Sequence, residues 1–120
     1  MKFRLFLAPI FLIVFFSLTQ CENNSEEKLY GNDCDTLNMT YSKVKFIFQN
    51  NCYSCHSANL SYRGIKTDTY EDLKAAINTN RPWGAINRFD GYLPMPNGQP
   101  KLDECLIKKI GAWINAGMPE

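Results

Sequence analysis

Two cysteines three positions apart, followed at once by the only histidine of the chain, make Cys52-Tyr53-Ser54-Cys55-His56 the segment best equipped for chemistry. Each thiol of such a pair can add to one vinyl group of the same haem, which gives two thioether bonds. A histidine directly after the second cysteine is then held under the iron as its proximal ligand. This spacing is the attachment signature of a c-type haem. The same thiols have two haem-free uses, as a dithiol redox pair or as half of a zinc site. Zinc asks for four ligands, and the one histidine sits immediately beside Cys55. A thioredoxin-like pair asks for a βαβ pattern, which the chain lacks. The haem reading therefore leads.

A second segment bears on the other axial position. In Leu93-Pro94-Met95-Pro96-Asn97-Gly98 a methionine is flanked by prolines, whose rings fix φ and stiffen the loop. Methionine is a soft ligand for haem iron, and His/Met ligation raises the reduction potential. Met95 lies 39 residues after His56, far enough for the chain to cross to the other haem face. The bland role for Met95 is that of a core methionine filling a gap. Met39 precedes the first expected helix and Met118 follows the last, so both are worse placed as ligands. With a single histidine, ligation by two histidines of one chain is excluded. If Met95 does not bind, the iron is five-coordinate or holds water, and the protein becomes a haem-based peroxidase or small-ligand sensor.

Helices are expected to position these residues. In Tyr41 to Asn51, Val44, Ile47 and Phe48 share one face, and Thr40 or Ser42 is available as a cap. That helix runs straight into the cysteine motif. Ser57 to Thr67 is polar, contains Gly64 and reads as a loop wrapping the haem. Thr69-Tyr70-Glu71-Asp72 resembles a capping box, and Leu73, Ala76 and Ile77 recur at helical spacing over Tyr70 to Asn78. Asn80-Arg81-Pro82 is expected to end this helix, since the residue before proline avoids helical backbone. Trp83 to Asn87 reads as a short helical turn. The last helix has Asp103 as N-cap, Glu104 in its first turn, and an apolar stripe of Leu106, Ile110, Trp113 and Ile114. Gly117 and Pro119 stop it. No strand pattern is strong and no internal repeat is found.

The front of the 120-residue chain reads as a targeting segment. Lys2 and Arg4 precede an apolar run from Leu5 to Phe16, as in an export signal. The run is shorter than the roughly 20 residues of a membrane-spanning helix. The organisation expected is a signal over 1–20, a tether and arm over 21–40, and a single small domain over 41–120. Loss of Lys2 and Arg4 takes the net charge from +1 to −1. No strong field of either sign remains, so composition offers no case for nucleic acid. The scattered lysines read as a solvated surface, with a docking ring for an acidic partner as the alternative.

Five cysteines is an odd count for an exported chain. Cys52 and Cys55 belong to the haem motif. Cys34 and Cys105 remain as a candidate disulfide in an oxidising compartment, with two free thiols as the alternative. Cys21 follows Leu18-Thr19-Gln20 in a segment similar to a bacterial lipobox, although Gln20 stands where a small residue is usual. The polar stretch Glu22 to Lys28 suits a tether. Cys21 is thus the candidate for lipidation, with simple secretion as the other outcome. Either route leads to an exported protein, periplasmic or at the cell surface.

Taken together, the helix ending at the cysteine motif, the Leu93-Pro94-Met95-Pro96 loop and the final helix from Lys108 to Gly117 resemble the small monohaem class I cytochromes c, including the lipoprotein cytochromes of Bacteroidetes. The resemblance covers about residues 40 to 118. It implies an all-α fold of three to four helices and loops around one covalent haem c, with first and last helices crossing and the haem edge partly exposed. It also implies attachment through Cys52 and Cys55, with His56 proximal and Met95 distal. The function implied is one-electron transfer to redox partner proteins, without substrate turnover, on the outer side of the cytoplasmic membrane, with the protein anchored through a lipid at Cys21 or free. The Cys34/Cys105 pair looks like a feature of a subgroup. A haem plate is expected to give Phe46, Phe48, Leu73, Ile77, Leu93 and Trp113 a surface to pack on, and the apo-protein is expected to fold poorly.

Overall fold

The computed structural model describes residues 34–120, and the signal, tether and Cys21 assignments lie outside them. Four α-helices account for most of the regular structure among these residues: α1 (Tyr41–Asn51), α2 (Tyr70–Asn78), α3 (Arg81–Asn87) and α4 (Glu104–Asn115). The architecture is all-α apart from a minimal hairpin of two-residue strands, β1 (His56–Ser57) and β2 (Leu60–Ser61), paired antiparallel. A 3-10 turn at Tyr62–Gly64 follows. The hairpin lies in the stretch expected to be plain loop; two residues per strand are too few for an alternating pattern to register in the sequence.

The core follows from helical spacing. Val44, Ile47 and Phe48 of α1 are buried at positions i, i+3 and i+4, as are Leu73, Ala76 and Ile77 of α2. In α4 the buried side chains are Ile107, Ile110 and Trp113, while Leu106 and Ile114 are half-buried. The stripe is therefore centred on Ile107 and Ile110, one position round from the expected one. α1 packs against α4, and α2 against α3. Met39, Leu102 and Met118 come in from the connecting segments and complete one apolar cluster. Residues 34–40 pack with the helices in the same compact unit. Cys34 is joined to Cys105 by a disulfide with Cα atoms 5.4 Å apart. It ties this arm to the first turn of α4.

The helix ends are satisfied in different ways. Thr69 Oγ1 accepts from the Asp72 N–H at 3.1 Å and its hydroxyl donates to Asp72 Oδ2 at 3.0 Å. Asp103 Oδ1 accepts from the Cys105 N–H at 2.8 Å. Thr40 occupies the N-cap position of α1 without capping it: its hydroxyl pairs with that of Ser42 at 2.7 Å. The Tyr41 N–H donates instead to the Pro119 carbonyl at 2.9 Å. Helix α4 ends in a Schellman pattern, with Met118 N–H to Trp113 O at 2.9 Å, Gly117 N–H to Ile114 O at 3.0 Å and Gly117 at φ +84°.

The C-terminal residues then act as a strap. The Trp113 indole N–H and the Tyr70 hydroxyl each donate at 2.8 Å, to the Pro119 and Met118 carbonyls respectively. Pro82 does not simply end α2. It lies in the first turn of α3, where proline's missing N–H would have had no helical partner anyway.

Candidate haem-attachment site

The cysteine motif is built as a continuation of α1. The Cys52 and Tyr53 N–H groups still donate to Phe48 O, at 2.8 and 3.1 Å, and then Cys55 and His56 both donate back to Cys52 O, at 3.1 and 2.9 Å. This turn carries Cys52, Cys55 and His56 on five consecutive residues. Of the described cysteines, Cys52 and Cys55 are unpaired, the first half-buried and the second exposed. Burial, with a smaller contribution from neighbouring Cys55, pushes the Cys52 thiol up to about 12. Burial also raises Tyr53, whose hydroxyl donates to the Asp68 carbonyl at 3.2 Å.

His56 is held on three sides. Its backbone enters the hairpin opposite Ser61. Its carbonyl accepts from both the N–H and the hydroxyl of buried Thr67, at 2.8 and 3.0 Å. Its ring Nδ1 lies 3.3 Å from the Ile65 carbonyl. A carbonyl can only accept, so this contact places a proton on Nδ1, and in the neutral ring Nε2 is then the nitrogen with the lone pair. Metal-bound histidines are oriented in this way, by a carbonyl on the second ring nitrogen. Asp68 Oδ2 accepts from the Ala58 N–H at 2.8 Å and closes the hairpin against the approach to α2.

The three described methionines fall into two kinds. Met39 and Met118 are buried in the core cluster. Met95 is half-buried, on the loop after α3, with its N–H donating to Ala85 O at 3.1 Å. The Met95-Pro96 peptide is cis. Among the described residues six large apolar side chains remain exposed, and four of them flank the candidate ligands in sequence: Leu60 and Tyr62 after His56, Phe89 and Leu93 before Met95.

The expected haem-packing group divides. Phe48, Leu73, Ile77 and Trp113 are covered by protein atoms, with Leu73 and Trp113 at 0 % exposure, so they form the core and not a plate-binding wall. Phe46 and Leu93, at 44 and 54 %, remain open. Helical periodicity marks a buried face but not what covers it.

The donor set fits a haem: two unpaired thiols, an imidazole with one nitrogen free and its ring oriented, and one methionine sulfur outside the core. Among the described residues no three His, Cys, Asp or Glu side chains group closely enough to hold a metal ion by themselves. An iron held here would bring its own macrocycle of donors. None of the described helices is long and apolar enough to cross a membrane. No family model, curated protein or solved structure matches this chain.

Proposed function

We propose that the protein carries one covalently attached haem c and serves in electron transfer, its all-α fold being of the class I cytochrome c kind. When bound, the group supplies a one-electron iron couple. The observation that carries the reading is the His56 ring, which presents Nε2 because the Ile65 carbonyl engages Nδ1, directly after two unpaired thiols at C-x-x-C spacing.

In this reading Cys52 and Cys55 form the thioethers. His56 is the proximal ligand, and the Ile65 carbonyl at Nδ1 fixes its ring plane. Met95 is the distal ligand, kept in place by the Ala85 carbonyl beneath its N–H. The exposed side chains Leu60, Tyr62, Phe89 and Leu93 supply apolar cover for a flat hydrophobic group, which water would otherwise surround. Electron transfer with both axial ligands retained needs no catalytic acid or base, and the chain is read as a carrier and not an enzyme. Its partners are redox proteins. Export, with a lipid anchor at Cys21, places it outside the cytoplasm at a membrane.

The test is to express the full chain in a host competent in cytochrome maturation. Haem that resists acid–acetone extraction and gives a haem c pyridine haemochrome supports the attachment. A methionine–iron charge-transfer band in the ferric spectrum supports carrier function. A high-spin ferric spectrum instead identifies a haem peroxidase or small-ligand sensor. Colourless protein with free thiols at Cys52 and Cys55 ends the haem reading.

A further inference from the structure

The loop bearing Met95 has few ties to the body of the protein. Among the hydrogen bonds of the described residues, two connect the segment 93–100 to the rest. One is Met95 N–H to Ala85 O at 3.1 Å, and the other is Arg88 Nη2 to Gln99 O at 2.7 Å. Both partners belong to α3 or its C-terminal cap. Arg88 is the C-cap of α3 and stands at φ 61°, ψ 42°, a left-handed conformation that is unfavourable for an arginine. Its own N–H returns to Ala85 O and Gly84 O, so the cap is anchored to the helix from which the guanidinium reaches out. Gln99 N–H in turn donates to Pro96 O at 3.3 Å, which links the latched carbonyl to the residue after Met95.

We propose that Arg88 is a positioning residue for Met95: its guanidinium latches the far end of the 88–99 loop through the Gln99 carbonyl and so limits how far the methionine sulfur can retreat. The inference rests on Met95 being the distal ligand. A loop with its ends joined through one charged donor has two states, latched and open. A competing ligand reaches the iron from the open state, so its apparent affinity scales with the fraction of time the loop is open. Arg88 is exposed and takes no part in the core, so its loss is felt in the loop and not in the global fold.

The experiment is an optical titration of the ferric holo-protein with imidazole, in the parent, R88G and R88K, beside urea unfolding of each. Glycine removes the guanidinium and accepts the left-handed backbone without strain. Lysine keeps the charge but not the fork. R88G is expected to bind imidazole roughly tenfold more tightly than the parent, the order of one charge-assisted hydrogen bond. R88K should fall between the two, and the unfolding midpoint of R88G should be no lower than the parent's, since glycine also relieves the left-handed strain. Equal imidazole affinity in R88G and the parent overturns the proposal. So does a tightening matched by an equal loss of global stability, which would make Arg88 an ordinary fold contact. A parent protein without the methionine–iron band overturns the Met95 assignment itself, and the latch with it.

Discussion

Replacing Gly84 by alanine tests whether α3 is the platform for the Met95 loop. Gly84 is buried within α3, and a Cβ built on it would lie 2.6 Å from three carbons of the Tyr92 ring. Carbon atoms pack at about 3.5–4.0 Å, so the ring must retreat by about 1 Å. Two effects oppose each other. Alanine is favoured over glycine inside a helix by about 1 kcal/mol. Forcing a methyl group into a filled contact costs about 1–3 kcal/mol. The second should win, giving a net loss of about 1 kcal/mol in urea unfolding of the holo-protein. Tyr92 precedes Met95 by three residues, so under the proposed ligation its displacement should also weaken a methionine–iron band.

The decisive comparison is the same change in a Tyr92→Ala background. With the ring gone only the helix propensity remains, and Gly84→Ala should now stabilise by about 1 kcal/mol. The sign reversal corresponds to a coupling of about 2 kcal/mol, within the range for residues in contact. Stabilisation by Gly84→Ala in the parent background would refute the close approach of Tyr92 and the platform role derived from it.

Three further outcomes follow from the geometry. Cys34→Ala with Cys105→Ala should cost about 2–4 kcal/mol in denaturant unfolding, because the bridge closes a loop across a sequence separation of 71; a change below about 0.5 kcal/mol would show that the arm adds nothing. Thr67→Val leaves the backbone donor to the His56 carbonyl but removes the buried hydroxyl, and should destabilise the holo-protein by about 1 kcal/mol, with unchanged unfolding counting against the Thr67 support of His56. In haem-free protein the Cys52 thiol is raised to about 12 from 9.0. The unfolded chain then loses that proton first as pH rises, so stability should fall between pH 9 and about 12. Alkylation at pH 8 should reach exposed Cys55 before Cys52, and mass spectrometry of partly modified protein would read the order.

The candidate chemistry of this chain is legible in its sequence because its residues are local. Two thiols and an imidazole within five residues need no fold to bring them together, and a methionine between prolines announces a stiff loop. Helices α1, α2 and α4 are equally legible, since the i, i+3, i+4 spacing of Val44, Ile47 and Phe48, or of Leu73, Ala76 and Ile77, is a property of the chain itself. What covers those faces is a tertiary matter, and so Phe48, Leu73 and Trp113 prove to lie in one buried core cluster where a haem surface was expected. Pro82 carries no mark of whether it closes one helix or opens the next; the backbone around Asn80, at φ 61°, decides for the latter.

The contacts that orient the candidate ligands belong to the same class. The Ile65 carbonyl under His56, the Tyr92 ring on Gly84 and the Arg88 fork on Gln99 join residues eight to eleven positions apart. They depend on turns closed by backbone donors and acceptors, which every residue but proline carries alike. Side-chain type therefore names the reactive groups in advance, whereas their aim is set only when the folded backbone chooses which carbonyl each donor meets.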